Sequence, residues 1–281
     1  MNTNNPRCKL AIQSVRYRKK ILQYIKLANA GHTGGSLSCI DILNVLYNKV
    51  LNVTPENFGS PDRDRFIQSK GHCVEALYVV LADKGFFPIE DLETLCQYQS
   101  HYIGHPTKKV NGIEQNTGAL GHGLPIAAGM AIAAKMDKKD FRVFTLLGDG
   151  EIPEGSNWEA ALTAAHYQLD NLCAIVDKNG LQISGKTSSV CNTDPLHEKF
   201  ESFGWATRYV DGNDTEALEA VFASLPFEAG KPSLIIAQTI KGKGISFMEN
   251  EIKWHHGVPN DEQYQKAQLE LDKQLNALEH G

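Results

Sequence analysis

The sequence predicts an α/β fold, with a mostly parallel sheet and helices on both faces. Two observations carry that expectation. From about residue 142 onward, short apolar runs alternate with helix-length segments, the order in which crossover helices wind a parallel sheet. The runs at 142–147, 172–177 and 233–239 are nearly continuous in apolar residues, as strands buried on both faces should be.

The elements follow in order. The opening stretch to about Asn29 reads as helix, with Ile12, Val15, Ile21, Leu22 and Ile25 on one stripe. Ser36 is placed to cap a second, strongly apolar helix, LSCIDILNVLYNKVL, closed by Asn52 and Pro55. A short strand around 65–67 runs into SKGH, and a helix continues through Ala76 and Val80 to Lys84-Gly85. After a loop, LPIAAGMAIAAK is a helix whose small residues allow close packing on a sheet. Then come strand 142–147, helix 154–168, strands 172–177 and 205–210, helix 214–225, strand 233–239 and a lysine- and glutamine-rich helical tail. No internal repeat is visible. The expected organisation is one domain over residues 1–281 with helical extensions at both ends.

Bulk properties exclude several classes of function. Of 281 residues, 42% are hydrophobic and 22% charged, ample for a large core. A net charge of −5 without long blocks of like charge gives no footprint for nucleic acid. Apolar runs such as Leu234-Ile235-Ile236-Ala237 are far too short to span a bilayer, and MNTNNPRCKL lacks the apolar centre of a signal peptide. A cytoplasmic protein without membrane association is expected. Six cysteines, Cys8, Cys39, Cys73, Cys96, Cys173 and Cys191, are scattered without a C-x-x-C pair, which argues against zinc and a disulfide framework. Most are expected in the core.

The stretch GDGEIPEGSNWEA, residues 148–160, puts Asp149 between two glycines where a strand must end. Asp-Gly alone is an ordinary turn. Its placement says more, because ligands of parallel sheets sit outside the carboxyl ends of the strands. The next helix also aims unpaired N–H groups and its positive dipole end there, favourable for a phosphate. The following strand ends at Asp177-Lys178-Asn179, which brings Asn179 within reach of Asp149. A carboxylate, an amide oxygen and a backbone carbonyl form a hard oxygen set suited to Mg2+, which completes its shell with phosphate and water.

Two glycine-rich matches carry less. Residues 180–187, GLQISGKT, fit the literal phosphate-loop pattern, but the β-branched, proline-bearing SSVCNTDP that follows is a poor helix start. Residues 118–123, GALGHG, have the wrong spacing for a dinucleotide fingerprint.

Four of ten histidines, His32, His72, His105 and His122, follow a glycine, where composition alone gives about one such pair. Glycine permits close backbone approach, which suits a loop that presents an imidazole to a ligand. Gly148-Asp149-Gly150, Glu154-Gly155, Trp158-Glu159-Ala160 and Asp177-Lys178-Asn179 resemble the thiamine diphosphate motif of the transketolase family. The motifs GHTGGSLS, SKGH, GHP, TGALGHG, KGKGISF and WHHGVP also occur in the order found in that family's amino-terminal domain.

The resemblance implies a thiamine-diphosphate-binding fold in which Asp149, Asn179 and the Leu181 carbonyl hold Mg2+ against the cofactor's diphosphate. Gly150 then lets the backbone approach the cofactor, Gly118 and Leu120 pack against it, and Lys241 lies near its phosphate end. His32, His105 and His256 surround the sugar hydroxyls, with His72 close to cofactor and substrate. Imidazoles poised near neutral pH suit the hydroxyl protons that leave and return as a ketose carbon–carbon bond breaks. His255 and His256 compete for one role, and counting back three from Pro259 selects His256; His122 stands where many relatives have glutamine and is left out. Trp158 and Ala161 read as helix-packing residues, Glu154 and Glu159 as acids linking paired cofactor sites.

The family's activating carboxylate comes from a second domain, for which the roughly forty residues after the last strand are too few. The resemblance therefore implies the amino-terminal subunit of a split transketolase, inactive alone and joined to a carboxyl-terminal subunit in a heterotetramer acting on sugar phosphates. Its rivals are a 1-deoxyxylulose-phosphate synthase-like fragment, the α chain of a 2-oxo-acid dehydrogenase, and a non-catalytic Mg2+–nucleotide-binding module.

Overall fold

A computed structural model describes residues 6–280, with side chains from Lys9 onward; the first five residues of MNTNNPRCKL and the side chain of Cys8 lie outside what it describes. Helix α1 (Pro6–Ala28) leads to α2 (Thr33–Val45), which widens into a π-type turn at Leu46–Val50, then to β1 (Arg65–Gln68) and α3 (Val74–Asp83). After a long loop come α4 (Gly123–Met136), β2 (Val143–Gly148), α5 (Gly155–His166) and β3 (Leu172–Lys178). A small hairpin, β4 (Leu181–Gln182) and β5 (Gly185–Lys186), is followed by one turn, α6 (Thr187–Val190), and by α7 (Leu196–Ser202). The chain then runs through β6 (Ala206–Asp211), α8 (Thr215–Ala223) and β7 (Ser233–Gln238) to α9 (Asp261–His280).

Five strands form one parallel sheet in the order β1-β2-β3-β7-β6. Side chains alternate across it, and each face has its own core. Phe144, Leu146, Ile175 and Ile235 join the cluster built with α1, α2 and α3. Val143, Leu147, Val176 and Ile236 join alanines of α4 and α5 on the other face. Ala127, Ala128 and Ala131 are buried there, so the small residues of α4 do lie against the sheet. β7 is inserted between β3 and β6, and its first five residues are all buried. β6 forms the edge and exposes Arg208 and Tyr209.

Two local expectations are corrected. Ser36 does not cap α2: the helix starts at Thr33 with His32 at the cap, and the Ser36 hydroxyl instead donates to buried Glu75 at 2.8 Å. Residues 180–187 form the β4–β5 hairpin and are followed by one helical turn where none was expected. That turn is four residues long, and the glycine-to-lysine stretch ahead of it is paired antiparallel rather than wrapped as a phosphate cradle. Of the five cysteines with described side chains, Cys39, Cys73 and Cys173 are buried in the core, while Cys96 and Cys191 are exposed. No described helix is long and apolar enough to cross a membrane.

The sheet positions the site directly. β2 and β3 are neighbours, with Gly148 opposite Asp177, so Asp149 and Asn179 leave adjacent strand ends. No crossing strand separates them.

Candidate functional site

A cavity of about 310 Å³ opens at the carboxyl ends of β2 and β3. Asp149, Asn179 and Leu181 line it on one side, and His32, His72, Gly118 and Leu120 on another. Gly150 and Lys241 complete the expected residues that face it. A larger groove, about 1050 Å³, lies between α1, α3 and α9, away from the strand ends and from this histidine cluster. The smaller cavity is the candidate site because the polar chemistry converges there.

Asp149 is 4% exposed, and both carboxylate oxygens are held by backbone. Oδ1 accepts from the Gly150 N–H at 2.9 Å and Oδ2 from the Gly180 N–H at 2.6 Å. Among the described residues no lysine or arginine is in ion-pair range of it, and burial, with Asp177 nearby, pushes its pKa up to about 6. A buried carboxylate lacking a cation favours one beside it. Asn179 Oδ1 accepts from the Leu181 N–H at 3.1 Å, which fixes the amide within its turn. The Leu181 carbonyl already draws the cavity's own ammonium, Lys241 Nζ, at 3.1 Å. Carboxylate, amide oxygen and carbonyl thus fit a hard divalent ion. Among the described residues no group of three or more His, Cys, Asp or Glu is placed to hold a metal, and an oxygen set of mixed origin lies outside that pattern.

Two glycines have a steric reason here. A Cβ on Gly150 would meet Gln182 Cβ at 2.8 Å, so the hairpin can close over this side of the cavity only with bare backbone at that position. Gly118 has φ of +146°, and a Cβ there would sit 2.9 Å from the His105 ring.

The imidazoles cluster around His32. Its ring centroid lies 5.1 Å from His72, 6.2 Å from His105, 5.7 Å from His255 and 4.5 Å from His256. His105 and His256 do not line the cavity wall but sit behind and beside His32, and His256 is exposed. His255 does line it, stacked on His72 at 5.4 Å. Glu154 is not brought into the cavity; it is exposed at the start of α5, packed beside Gly121. Glu159 is also exposed. Trp158 packs on Phe200 and Phe203, and the Ala161 carbonyl accepts from Trp205 Nε1 at 2.9 Å, both inside helix packing.

A family model described as transketolase, thiamine diphosphate binding domain, matches residues 9–274. The chain belongs to this family. It is 48% identical over 270 residues to one subunit of the apulose-4-phosphate transketolase of Phocaeicola vulgatus, covering 96% of each chain. It is 41% identical over 258 residues to the 6-deoxy-6-sulfo-D-fructose transketolase subunit SqwG of a Clostridium species, covering 92% of this chain and 94% of that one. The solved transketolase of Campylobacter jejuni matches it with a TM-score of 0.87 at 31% identity, over 96% of this chain and 43% of that one. The chain therefore spans less than half of that transketolase.

Sequence reasoning missed three polar residues that build the candidate site of this transketolase-family domain, and set a fourth, His255, behind His256. Lys70, inside SKGH, is buried in the cavity wall and ion-paired to Asp177. Glu151 joins three motifs: it accepts from the N–H groups of Gly121 and Gly148 at 2.8 and 3.0 Å and from the Ser69 hydroxyl. Glu75 accepts from the His32 N–H at 3.1 Å and from Ser36, and burial pushes its pKa up to about 7. An acid, Glu75, set inside the otherwise apolar run VEALYVVLA was the available signal. The fourth, His255, accepts at Nδ1 from Lys241 Nζ at 2.9 Å.

Burial lowers the pKa of His32 to about 4, and burial followed by the Lys241 charge lowers that of His255 to about 3. Burial also lowers His105. The rings of His32 and His255 therefore stay neutral in the fold at pH values where the unfolded chain takes up protons, near the ordinary value of about 6.5. Their contribution to stability is therefore present above pH 6.5 and lost as pH falls through 6.5 toward 4. Glu75 and Asp149, whose pKa values are raised, act in the opposite sense, so the imidazole part is read as a difference between proteins. The stability advantage of wild type over His255→Asn, from denaturant unfolding, is expected to shrink as pH drops from 6.5 to 4. A difference independent of pH contradicts the neutral buried ring.

Proposed function

We propose that this chain is the amino-terminal subunit of a split transketolase, moving a two-carbon ketol unit from a ketose phosphate to an aldose acceptor. The observation that carries the reading is the adjacency of the β2 and β3 ends. It gathers an uncompensated buried carboxylate, an amide oxygen and a carbonyl into one cavity with the imidazoles of His32, His72 and His255. The names of the two similar subunits, both transketolases, support it.

In this reading Asp149, Asn179 and the Leu181 carbonyl hold Mg2+, and Gly150 leaves space for the diphosphate beside it. Gly118 and Leu120 pack against the cofactor, and Lys241 donates to its phosphate end. Thiamine diphosphate, when bound, supplies the electron sink for cleaving a carbon–carbon bond next to a carbonyl. His32, His72, His105 and His256 bind the sugar's hydroxyls and carry their protons. Glu154 and Glu159, exposed on α5, are proposed to face a second copy and link paired sites rather than touch the cofactor.

A second subunit supplies the pyrimidine-binding domain and its activating carboxylate, in a heterotetramer of two subunits of each kind. The proposal includes a cytoplasmic location, because phosphorylated sugars do not cross membranes unaided.

Co-expression with a candidate carboxyl-terminal subunit tests the whole reading. The pair is expected to catalyse ketol transfer from xylulose phosphate or apulose 4-phosphate, dependent on thiamine diphosphate and Mg2+, with no activity from this chain alone. Full ketol transfer by the single chain overturns the split arrangement. Turnover of pyruvate in place of the ketose phosphates moves the assignment to a 2-oxo-acid enzyme.

A further inference from the structure

We propose that His255 is a positioning residue for Lys241, setting the ammonium that meets the cofactor's diphosphate. The inference rests on the thiamine diphosphate reading of the cavity and adds a residue to it.

Lys241 is almost fully buried, its stem against Gly34, where a Cβ would lie 3.1 Å from the lysine Cγ. An ammonium has three N–H donors and no acceptor. One goes to the Leu181 carbonyl at 3.1 Å and one to His255 Nδ1 at 2.9 Å. The third has no protein partner among the described residues, which leaves one donor for an anion in the cavity. Two fixed acceptors hold the head group of a side chain that is otherwise flexible, so the free donor is aimed before the anion arrives.

The same contact fixes the imidazole. A nitrogen that accepts from an ammonium carries no proton, so neutral His255 is the Nε2–H tautomer. The ring is clamped from both sides of the chain. It stacks on His72 with an interplanar angle of 21°, and its backbone N–H bonds to the Ile252 carbonyl at 2.8 Å, next to buried Trp254. His256, the adjacent imidazole, lies closer to His32, at 4.5 Å between centroids against 5.7 Å for His255. Both rings belong to the histidine cluster, and His255 is the one hydrogen-bonded to the lysine.

A double-mutant cycle on the two-subunit assembly tests this, reading thiamine diphosphate affinity in the presence of Mg2+ by calorimetry. His255→Phe keeps a flat ring on His72 but removes the acceptor, and should weaken binding about tenfold, the order of one hydrogen bond to a charged group. His255→Asn, whose amide oxygen takes the place of Nδ1, should restore most of the affinity. In a Lys241→Met background His255→Phe should cost nothing further. Equal losses in both backgrounds, or no loss in either, overturn the positioning role while leaving the cofactor site intact. Wild-type assembly that does not bind thiamine diphosphate overturns the functional reading and this role with it. Nitrogen-15 spectra of the histidine-labelled full chain decide the geometry without cofactor: Nδ1 of His255 is expected unprotonated, and a protonated Nδ1 overturns the proposal.

Discussion

Asp149→Ala is expected to weaken Mg2+-dependent thiamine diphosphate binding by about a hundred- to a thousandfold, the scale of removing one partner from a buried charge pair. Asp149 is a buried carboxylate of the cavity with no lysine or arginine in ion-pair range among the described residues, and it leaves the end of β2 directly opposite the end of β3. Its removal takes away the negative charge that pairs with the ion, and also the acceptor for the Gly150 and Gly180 N–H groups. Asp149→Asn separates the two effects in part, since its amide oxygen still accepts from one of the two N–H groups while the charge is gone. Both variants should lose metal-dependent binding, with Asp149→Asn the more stable in denaturant. Unchanged affinity and an unchanged metal requirement in Asp149→Ala contradict the role assigned to this carboxylate.

The second large effect concerns stability. Lys70 and Asp177 form an ion pair whose side chains are 2% and 0% exposed. Asp177 also accepts from the Ser38 hydroxyl at 2.6 Å and from Thr239, so three elements converge on one carboxylate. Burial opposes the charge on Lys70, but Asp177 and the other groups around it together outweigh that and raise the lysine pKa. Lys70→Met leaves the carboxylate buried with hydroxyl donors alone, and should cost about 3–5 kcal/mol of unfolding free energy. Adding Asp177→Asn removes the orphaned charge and should recover part of that loss. Denaturant unfolding of the three proteins reads both effects. A cost below about 1 kcal/mol for Lys70→Met contradicts the buried pair, because that is the range of a solvated one.

Much of this site is local in the chain, and so was legible. Gly148-Asp149-Gly150 and Asp177-Lys178-Asn179 each combine a buried strand with the turn that ends it, and strand burial shows directly in apolar runs. What the sequence withheld is pairing between distant residues. Nothing near Lys70 announces Asp177, which lies 107 residues away, and Glu151 reads as one more acid in a turn until Gly121 and Ser69 are seen to donate to it. The insertion of β7 between β3 and β6 is likewise non-local, although the exposed Arg208 and Tyr209 in β6 carried the mark of an edge strand. The short elements β4, β5, α6 and α7 fell below the length at which periodicity is readable. At WHHGVP the family's spacing favoured His256, whereas His255 is the ring on the cavity wall, and side-chain direction is not readable from the motif.

The central claim is that the ends of β2 and β3 grip a divalent ion and the diphosphate of one particular cofactor. Calorimetric titration of the two-subunit assembly with thiamine diphosphate and, separately, with ATP, each with Mg2+ and with a chelator, tests it most directly. Tight binding of thiamine diphosphate that disappears with the chelator, and no comparable binding of ATP, is the predicted result. ATP binding as tight as that of thiamine diphosphate, or thiamine diphosphate binding indifferent to the chelator, contradicts it.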